Sequence, residues 1–345
     1  MCLFIKKFSA VLDIGSAEII LTIFQEKPKK KVLFARSCEY TGYKNGVFNS
    51  ENECKACVLK LFSDAKREGF KLAACEVKLK VPAAFCAVAC TYVGRTFSEP
   101  TAITRAIAAG LLEKDGGYSR DKDFAIINKT PLYYELDAAQ NGNKTVKVLR
   151  PEGVVASKLT ACVSYLLAER WFLVFFNTLA EKVGVLFSFV GEPLGTVFYA
   201  VREESEKISP TVVLELGKFE SYCAFTRGDG IEDLKSFEIG YGEIIKKLTE
   251  FKLTDSYDVA QGLFSRLDFA KADAYDAETL SFAAESVNDI AKYALLLIAK
   301  TVDKALKLCT NAEYANAPLI IVTNEVHIKG ELCRLIKQVS GREVR

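Results

Sequence analysis

Leu12-Asp13-Ile14-Gly15-Ser16 lies between two apolar runs, Ala10 to Ile14 and Ile19 to Phe24, and a matching stretch, Val213-Leu214-Glu215-Leu216-Gly217, opens the second half of the chain. Each reads as a strand that ends near a carboxylate and then turns on a glycine into a return strand. Backbone N–H groups at such a turn form a nest for an anion, and glycine is needed where the anion comes close to the chain. The duplication predicts two related lobes, each opening with such a hairpin.

Outward from the first hairpin, Val32 to Ala35 reads as a third strand, and the basic run Lys27-Pro28-Lys29-Lys30-Lys31 before it reads as a solvated turn. A glycine-bearing loop, Gly42-Tyr43-Lys44-Asn45-Gly46, leads to Ser50. Ser50 and Glu53 have capping-box spacing, and Cys54, Cys57, Val58, Leu61, Phe62 and Ala65 then mark one buried helical face. Residues 76–162 alternate as strands around a single helix near Ala102 to Leu112 and read as a small inserted α+β domain. Ala168 to Val183 reads as a helix stopped by Gly184. Glu215 to Phe225 and Leu234 to Ile239 read as paired strands turning at Gly228-Asp229-Gly230. Helices at Ile244 to Phe251 and Val287 to Cys309 and a strand at Pro318 to Val322 follow. The expected organisation is a first lobe of residues 1–75 and 163–205, the insert, a second-lobe core of 206–250 and 312–345, and a helical subdomain of 251–311.

Half of the 345 residues are hydrophobic, enough for two domain cores, and 46 Lys and Arg against 44 acids leave a net charge of +2. That balance gives no electrostatic footprint for nucleic acid. Eleven cysteines without a signal peptide ahead of them point to a reducing cytoplasm. The most apolar stretch, Trp171 to Phe189, is interrupted by Glu181 and Lys182, so no uncharged window reaches membrane-spanning length, and the chain reads as soluble.

Several segments resemble the bacterial cell-division family FtsA, of the actin-like ATPase superfamily. Leu12 to Ser16 looks like its first phosphate hairpin, and Gly42 to Val47 is similar to the Gly-x-x-x-Gly loop that follows. Pro151-Glu152-Gly153 with Lys158-Leu159 resembles the exit from the inserted domain, and Glu192-Pro193-Leu194-Gly195 the start of the connecting helix between the lobes. Val213 to Gly217 stands at the second phosphate hairpin, and Ile239-Gly240-Tyr241-Gly242 at the glycine turn after it. The resemblance implies a two-lobed α/β actin-like (duplicated ribonuclease-H-like) fold with an inserted SHS2-like domain. It also implies an ATP–magnesium site at Asp13, Gly15, Ser16, Glu215, Gly217, Lys218, Gly240 and Gly242, with Asp13 on the magnesium side. The pilus-assembly family PilM shares the insert and is the nearest alternative.

The sequence departs from that family at three places. Its second hairpin reads Asp-x-Gly-Gly-Gly-Thr, but here it is Glu215-Leu216-Gly217-Lys218-Phe219-Glu220. Glu215 moves the carboxylate out by roughly one bond, ~1.5 Å, and Lys218 and Phe219 put side chains where bare backbone would meet phosphate. Asn324-Glu325-Val326 replaces the paired glycines of the adenosine motif, and Gln261 and Phe264 replace a Glu and Lys that face the nucleoside. In the first hairpin, Glu18 stands where Lys is common. The expectation is an adaptor without a catalytic residue, in which nucleotide binding is weakened or lost. Its partners by resemblance are an FtsZ-like ring protein and copies of itself through the insert. The sequence stops at Val344-Arg345, before the family's membrane-targeting helix, and the expectation is either a shortened chain or recruitment to the inner membrane face through partners. The alternatives are a PilM-like scaffold that binds a membrane-protein peptide, and a working ATPase of the actin, Hsp70 and sugar-kinase superfamily.

Other motifs read as structural. Cys54-Lys55-Ala56-Cys57 lies on the apolar stripe of its helix, where cysteine packs as a small hydrophobe, and with Cys86 and Cys90 it lacks the paired spacing of a zinc site. His327, the one histidine, reads as an ordinary loop residue. Trp171-Phe172-Leu173-Val174-Phe175-Phe176 is apolar around more than one face. It is read either as buried against the insert or as a protein contact surface built on Trp171 and Phe175.

Overall fold

The computed structural model describes residues 8–26, 30–72, 76–113, 118–138, 145–202, 208–251, 254–269 and 284–345. Lys27 to Lys29 of the basic run and the loop Gln140 to Lys144 lie outside them. The chain divides into two compact units, Met1–Ile208 with Thr226–Leu234, and Ser209–Phe225 with Lys235–Arg345.

Unit 1 is built on a five-stranded sheet. Strands β1 (Phe8–Ile14), β2 (Glu18–Gln25) and β3 (Lys31–Glu39) form an antiparallel meander. Two short strands, β4 (Tyr43–Lys44) and β5 (Val47–Phe48), and helix α1 (Glu51–Arg67) follow. β6 (Glu76–Val81) returns parallel to β1, and β11 (Leu186–Gly191) lies parallel to β6 at the sheet edge. The sequence reading assigned Glu76–Val81 to the insert, whereas β6 sits inside this sheet between β1 and β11. Ser50 caps α1 by accepting from the Glu53 N–H at 3.3 Å. Glu53 accepts from Thr41 N at 3.0 Å, so the carboxylate of the capping pair ties down the preceding loop. Helix α3 (Arg170–Val183) ends at Gly184 in the left-handed region, φ 72°, as its sequence implied. α1 and α3 bury Cys54, Val58, Leu61, Phe172, Phe176 and Leu179 with the sheet's inner residues.

The insert is a four-stranded antiparallel sheet in the order β7-β10-β8-β9. Its strands are β7 (Cys86–Ala102), β8 (Phe124–Ala138), β9 (Thr145–Val148) and β10 (Val155–Glu169). Helix α2 (Arg105–Leu112) packs Ala108 and Leu111 against Tyr134, Leu159, Val163 and Tyr165. The turn at Gly228-Asp229-Gly230 lies with this unit. A Cβ on Gly228 (φ 58°) would sit 2.1 Å from the Leu132 carbonyl oxygen, so glycine is required there both by the turn and by close approach. Ser164 Oγ donates to the Ile231 carbonyl at 2.5 Å, and Arg227 Nε lies 3.1 Å from Glu232 Oε1 with both side chains largely buried.

Helix α4 (Glu192–Ala200), which begins at the Glu-Pro pair, leads toward unit 2. There the sheet order is β14-β13-β12-β15, from β12 (Thr211–Leu216), β13 (Ser221–Arg227), β14 (Gly230–Phe237) and β15 (Leu319–Val322). β15 runs parallel to β12, as β6 does to β1. Helices α5 (Gly242–Glu250), α6 (Tyr257–Phe264), α7 (Ala284–Lys307) and α8 (Val326–Ser340) bury their apolar stripes with this sheet. Val344 makes a parallel bridge to Leu319 on β15. No helix among the described residues is long and apolar enough to cross a membrane.

Candidate functional site

In unit 1 the predicted residues Asp13, Gly15 and Ser16 occupy the β1–β2 turn. The Gly15 N–H donates to the Glu18 carbonyl at 2.9 Å and closes the turn. Tyr40 Oη donates to the Gly15 carbonyl at 2.8 Å. Gly42 (φ 74°) passes so close that a Cβ on it would lie 2.0 Å from the Ser16 carbonyl oxygen, and Ser16 is buried. The Asp13 carboxylate is held by a residue the sequence did not single out: Lys80 Nζ lies 2.5 Å from Asp13 Oδ2. The parallel register of β1 and β6 aligns these two residues, so the contact is set by the sheet itself.

In unit 2 the residues Glu215, Gly217, Lys218, Gly240 and Gly242 come together around two crossed turns. The Tyr241 N–H donates to the Gly217 carbonyl at 3.0 Å, and the Gly242 N–H to the Lys218 carbonyl at 2.7 Å. A Cβ on Gly240 would lie 2.2 Å from the Gly217 oxygen and 2.5 Å from the Lys218 oxygen. One on Gly242 would lie 2.7 Å from the Lys218 oxygen and 2.9 Å from the Phe219 ring. Both glycines thus admit the chain's own hairpin, and the amides of residues 241 and 242 are spent on it. Lys218 Nζ lies between the rings of Phe219 and Tyr257, 5.5 and 5.6 Å from their centroids. Glu220 has one carboxylate oxygen buried without a hydrogen-bond partner. Burial, with the nearby Glu238 charge adding to it, pushes its pKa up to about 7.

Three rings fill the space beside these turns. Tyr241 stacks on Phe264 with centroids 5.4 Å apart and planes at 8°, and Phe264 meets His327 edge-on at 4.9 Å. His327 Nε2 donates to the Phe264 carbonyl at 3.0 Å, and its Nδ1 lies 3.6 Å from Glu325 Oε2. His327, expected in a loop, therefore sits in the first turn of α8 and locks α6 to it. Phe264 was visible in the sequence as a replacement, but its stacking partners were not, because they lie on three separate segments.

Trp171 and Phe175 fall on one side of α3. Phe172 and Phe176 are buried, Phe175 is half-buried under Lys55, whose Nζ is 5.0 Å from the ring centroid, and Trp171 is 40% exposed against Phe48 and Phe85. The Trp171 indole N–H donates to Glu169. Of the two residues named for a contact surface, Trp171 is exposed and Phe175 half-buried, while Phe172 and Phe176 join the core of the five-stranded sheet. Cys54 and Cys57 are buried in the α1 stripe, where burial pushes each thiol up to about 12. Among the described residues, no cluster of three or more His, Cys, Asp or Glu is placed to hold a metal ion.

Two strand–turn–strand units, each followed by a parallel strand and flanked by helices, define the class: the chain has the actin-like ATPase fold. The solved structures it is similar to include a PilM–PilN type IV pilus biogenesis complex (11% identity over 99% of this chain and 88% of that one, TM-score 0.55). They also include MreB5 of Spiroplasma citri bound to AMPPNP (8% identity, 98% and 91%, TM-score 0.52). A third is the ethanolamine utilization protein EutJ from Carboxydothermus hydrogenoformans (11% identity, 98% and 84%, TM-score 0.50). No protein-family model matches the chain, and no curated protein matches it by sequence.

Proposed function

We propose that this chain is a non-enzymatic actin-fold adaptor, FtsA-like in role, in which nucleotide binding is weakened or lost and the body works through protein partners. The observation that carries this reading is the double closure of the second hairpin: the Tyr241 and Gly242 amides donate to the carbonyls of Gly217 and Lys218, and the Phe219 ring lies against Gly242. An anion nest needs such amides directed at the ligand, and transition-state stabilisation needs donors that are not already committed. The Lys80–Asp13 pair supports the same reading, because it neutralises the carboxylate that would face magnesium. ATP with magnesium remains the ligand to test, at Asp13, Gly15, Ser16, Glu215, Gly217, Lys218, Gly240 and Gly242. The partners in this reading are an FtsZ-like ring protein and copies of the chain, with recruitment to the membrane face through them.

A second reading, a PilM-like scaffold for pilus or envelope assembly, is favoured by the likeness to PilM over nearly the whole chain, a protein solved in complex with PilN. Trp171 and Val174 would then contribute to a peptide-binding surface.

Titration with a fluorescent ATP analogue and magnesium, competed by unlabelled ATP, tests the first element. The adaptor reading expects no saturable binding up to about millimolar ATP. Saturable micromolar binding would overturn the loss of nucleotide binding, and an ATPase assay would then decide between an adaptor that holds nucleotide and a working ATPase. A pulldown against ring-protein and membrane-protein tail peptides then separates the two adaptor readings.

A further inference from the structure

Two thiols meet where β3 and α1 come together. Phe34, Arg36 and Cys38 share one face of β3, the face that α1 covers. Phe34 meets Phe70, just past α1, with ring centroids 5.7 Å apart, and Arg36 reaches Glu68 at 3.1 Å. Cys38 continues that row. Its Sγ lies 3.8 Å from the Glu39 carbonyl oxygen, and Cys57 Sγ, on α1, donates to the same oxygen at 3.2 Å. Two sulfurs turned to one oxygen lie close together, and Cys57 is within hydrogen-bonding reach of Cys38. Both are free thiols, Cys38 partly exposed and Cys57 buried.

The pair also stands at the two ends of the segment that braces the first glycine turn. Residues 39–50 run from the end of β3 to the cap of α1. On the way the Tyr40 N–H donates to the Ala17 carbonyl at 3.2 Å, its hydroxyl donates to the Gly15 carbonyl, and Gly42 packs on Ser16. A covalent link between the two cysteines would close a loop whose tip rests on that turn.

We propose that Cys38 and Cys57 form a thiol–disulfide exchange site, oxidised by a low-molecular-weight disulfide, whose closure tethers residues 39–50 to α1. Cys38 is the entry point, being the more exposed of the two. Its thiolate attacks one sulfur of the oxidant, here oxidised glutathione, and the first glutathione leaves as a thiolate that takes up the proton Cys38 released. Cys57 then gives up its proton and attacks Cys38 Sγ of the mixed disulfide, and the second glutathione leaves as a thiol. The cysteine pair loses two electrons and two protons, and the glutathione disulfide gains them. Burial pushes the Cys57 thiol up to about 12, so the second step is the slow one. No nucleotide, peptide or second copy enters, so failure of the adaptor reading above leaves this site standing.

The chain is equilibrated with a series of oxidised-to-reduced glutathione ratios, free thiols are alkylated, and linked peptides are read by mass spectrometry. The wild type should yield a Cys38–Cys57 linkage that dithiothreitol reverses. Oxidation should raise the melting temperature by about 5 °C or more and slow amide exchange within residues 39–50. Cys57→Ala should stop with glutathione on Cys38, Cys38→Ser should give neither adduct nor linkage, and Cys54→Ala should behave as the wild type. Circular dichroism confirms folding, and Cys38→Ser, at a partly exposed position, decides the matter should a buried-site variant not fold. A Cys54–Cys57 linkage overturns the proposal, as does a wild type that stops at glutathionylated Cys38 or keeps both thiols reduced at every ratio. Linkage with unchanged exchange across residues 39–50 overturns the tether.

Discussion

Lys80 Nζ sits 2.5 Å from Asp13 Oδ2, across two parallel strands whose register aligns the two residues. The pair is partly exposed, 43% and 31% for the two side chains, so its worth to stability is small, below about 1 kcal/mol. In the ATP–magnesium reading its consequence would be chemical, because it commits the carboxylate that this reading turns toward the metal ion. Lys80→Ala is therefore expected to leave the unfolding midpoint nearly unchanged and to raise magnesium-dependent ATP binding. If Lys80→Ala instead abolished binding seen in the parent, Lys80 would be a phosphate ligand.

Gly240 and Gly184 give opposite tests of what glycine does here. A Cβ on Gly184 meets nothing within 4 Å, so Gly184→Ala carries only the left-handed backbone penalty, about 1–2 kcal/mol. A Cβ on Gly240 meets two backbone oxygens of the crossed turn, which cannot swing aside as a side chain can. Gly240→Ala is expected to destabilise by about 3 kcal/mol or more, measured by urea unfolding. Equal losses for the two variants would mean that the crossed turns are not packed as described.

Glu220 predicts a pH dependence of known sign. Its pKa is raised from 4.5 to about 7, first by burial and then by Glu238, so between those values the folded chain holds a proton that the unfolded chain has released. Stability should fall as pH rises from about 4.5 to about 7 and level off above. Glu220→Gln should remove that slope and exceed the wild type at pH 8 by up to about 3 kcal/mol. Parallel profiles for the two proteins would rule Glu220 out as the source.

Phe264, 4% exposed, is the central ring of the Tyr241–Phe264–His327 stack. Phe264→Ala should cost ~3–5 kcal/mol and leave a ring-sized cavity. If the stack occupies the place of a nucleoside base, millimolar adenosine should raise the variant's melting temperature and leave the wild type's unchanged. Equal shifts in both proteins would dismiss that equivalence.

Local signals in the sequence were reliable where the physics is local. Ser50 with Glu53 marked the start of α1, and Gly184 marked the end of α3, because capping involves neighbours within one turn. The strand–glycine–strand repeats at Leu12 and Leu214 pointed to the duplicated architecture, since a turn and its flanking apolar runs are contiguous. β6 was assigned to the insert because its alternation in Glu76–Val81 fits any half-buried strand, and nothing local says which sheet it joins.

What the sequence by itself determined was the fold class and the positions of the two strand–glycine–strand turns, carried by contiguous patterns of apolar and glycine residues. By its resemblance to FtsA it also placed Lys218, Phe219 and Phe264 where that family has smaller or different groups. Only the tertiary structure decided what those replacements do. Lys80 reaches Asp13, Phe219 lies on Gly242, and Tyr241, Phe264 and His327 form one stack because strands and helices remote in sequence are brought into register by the two cores.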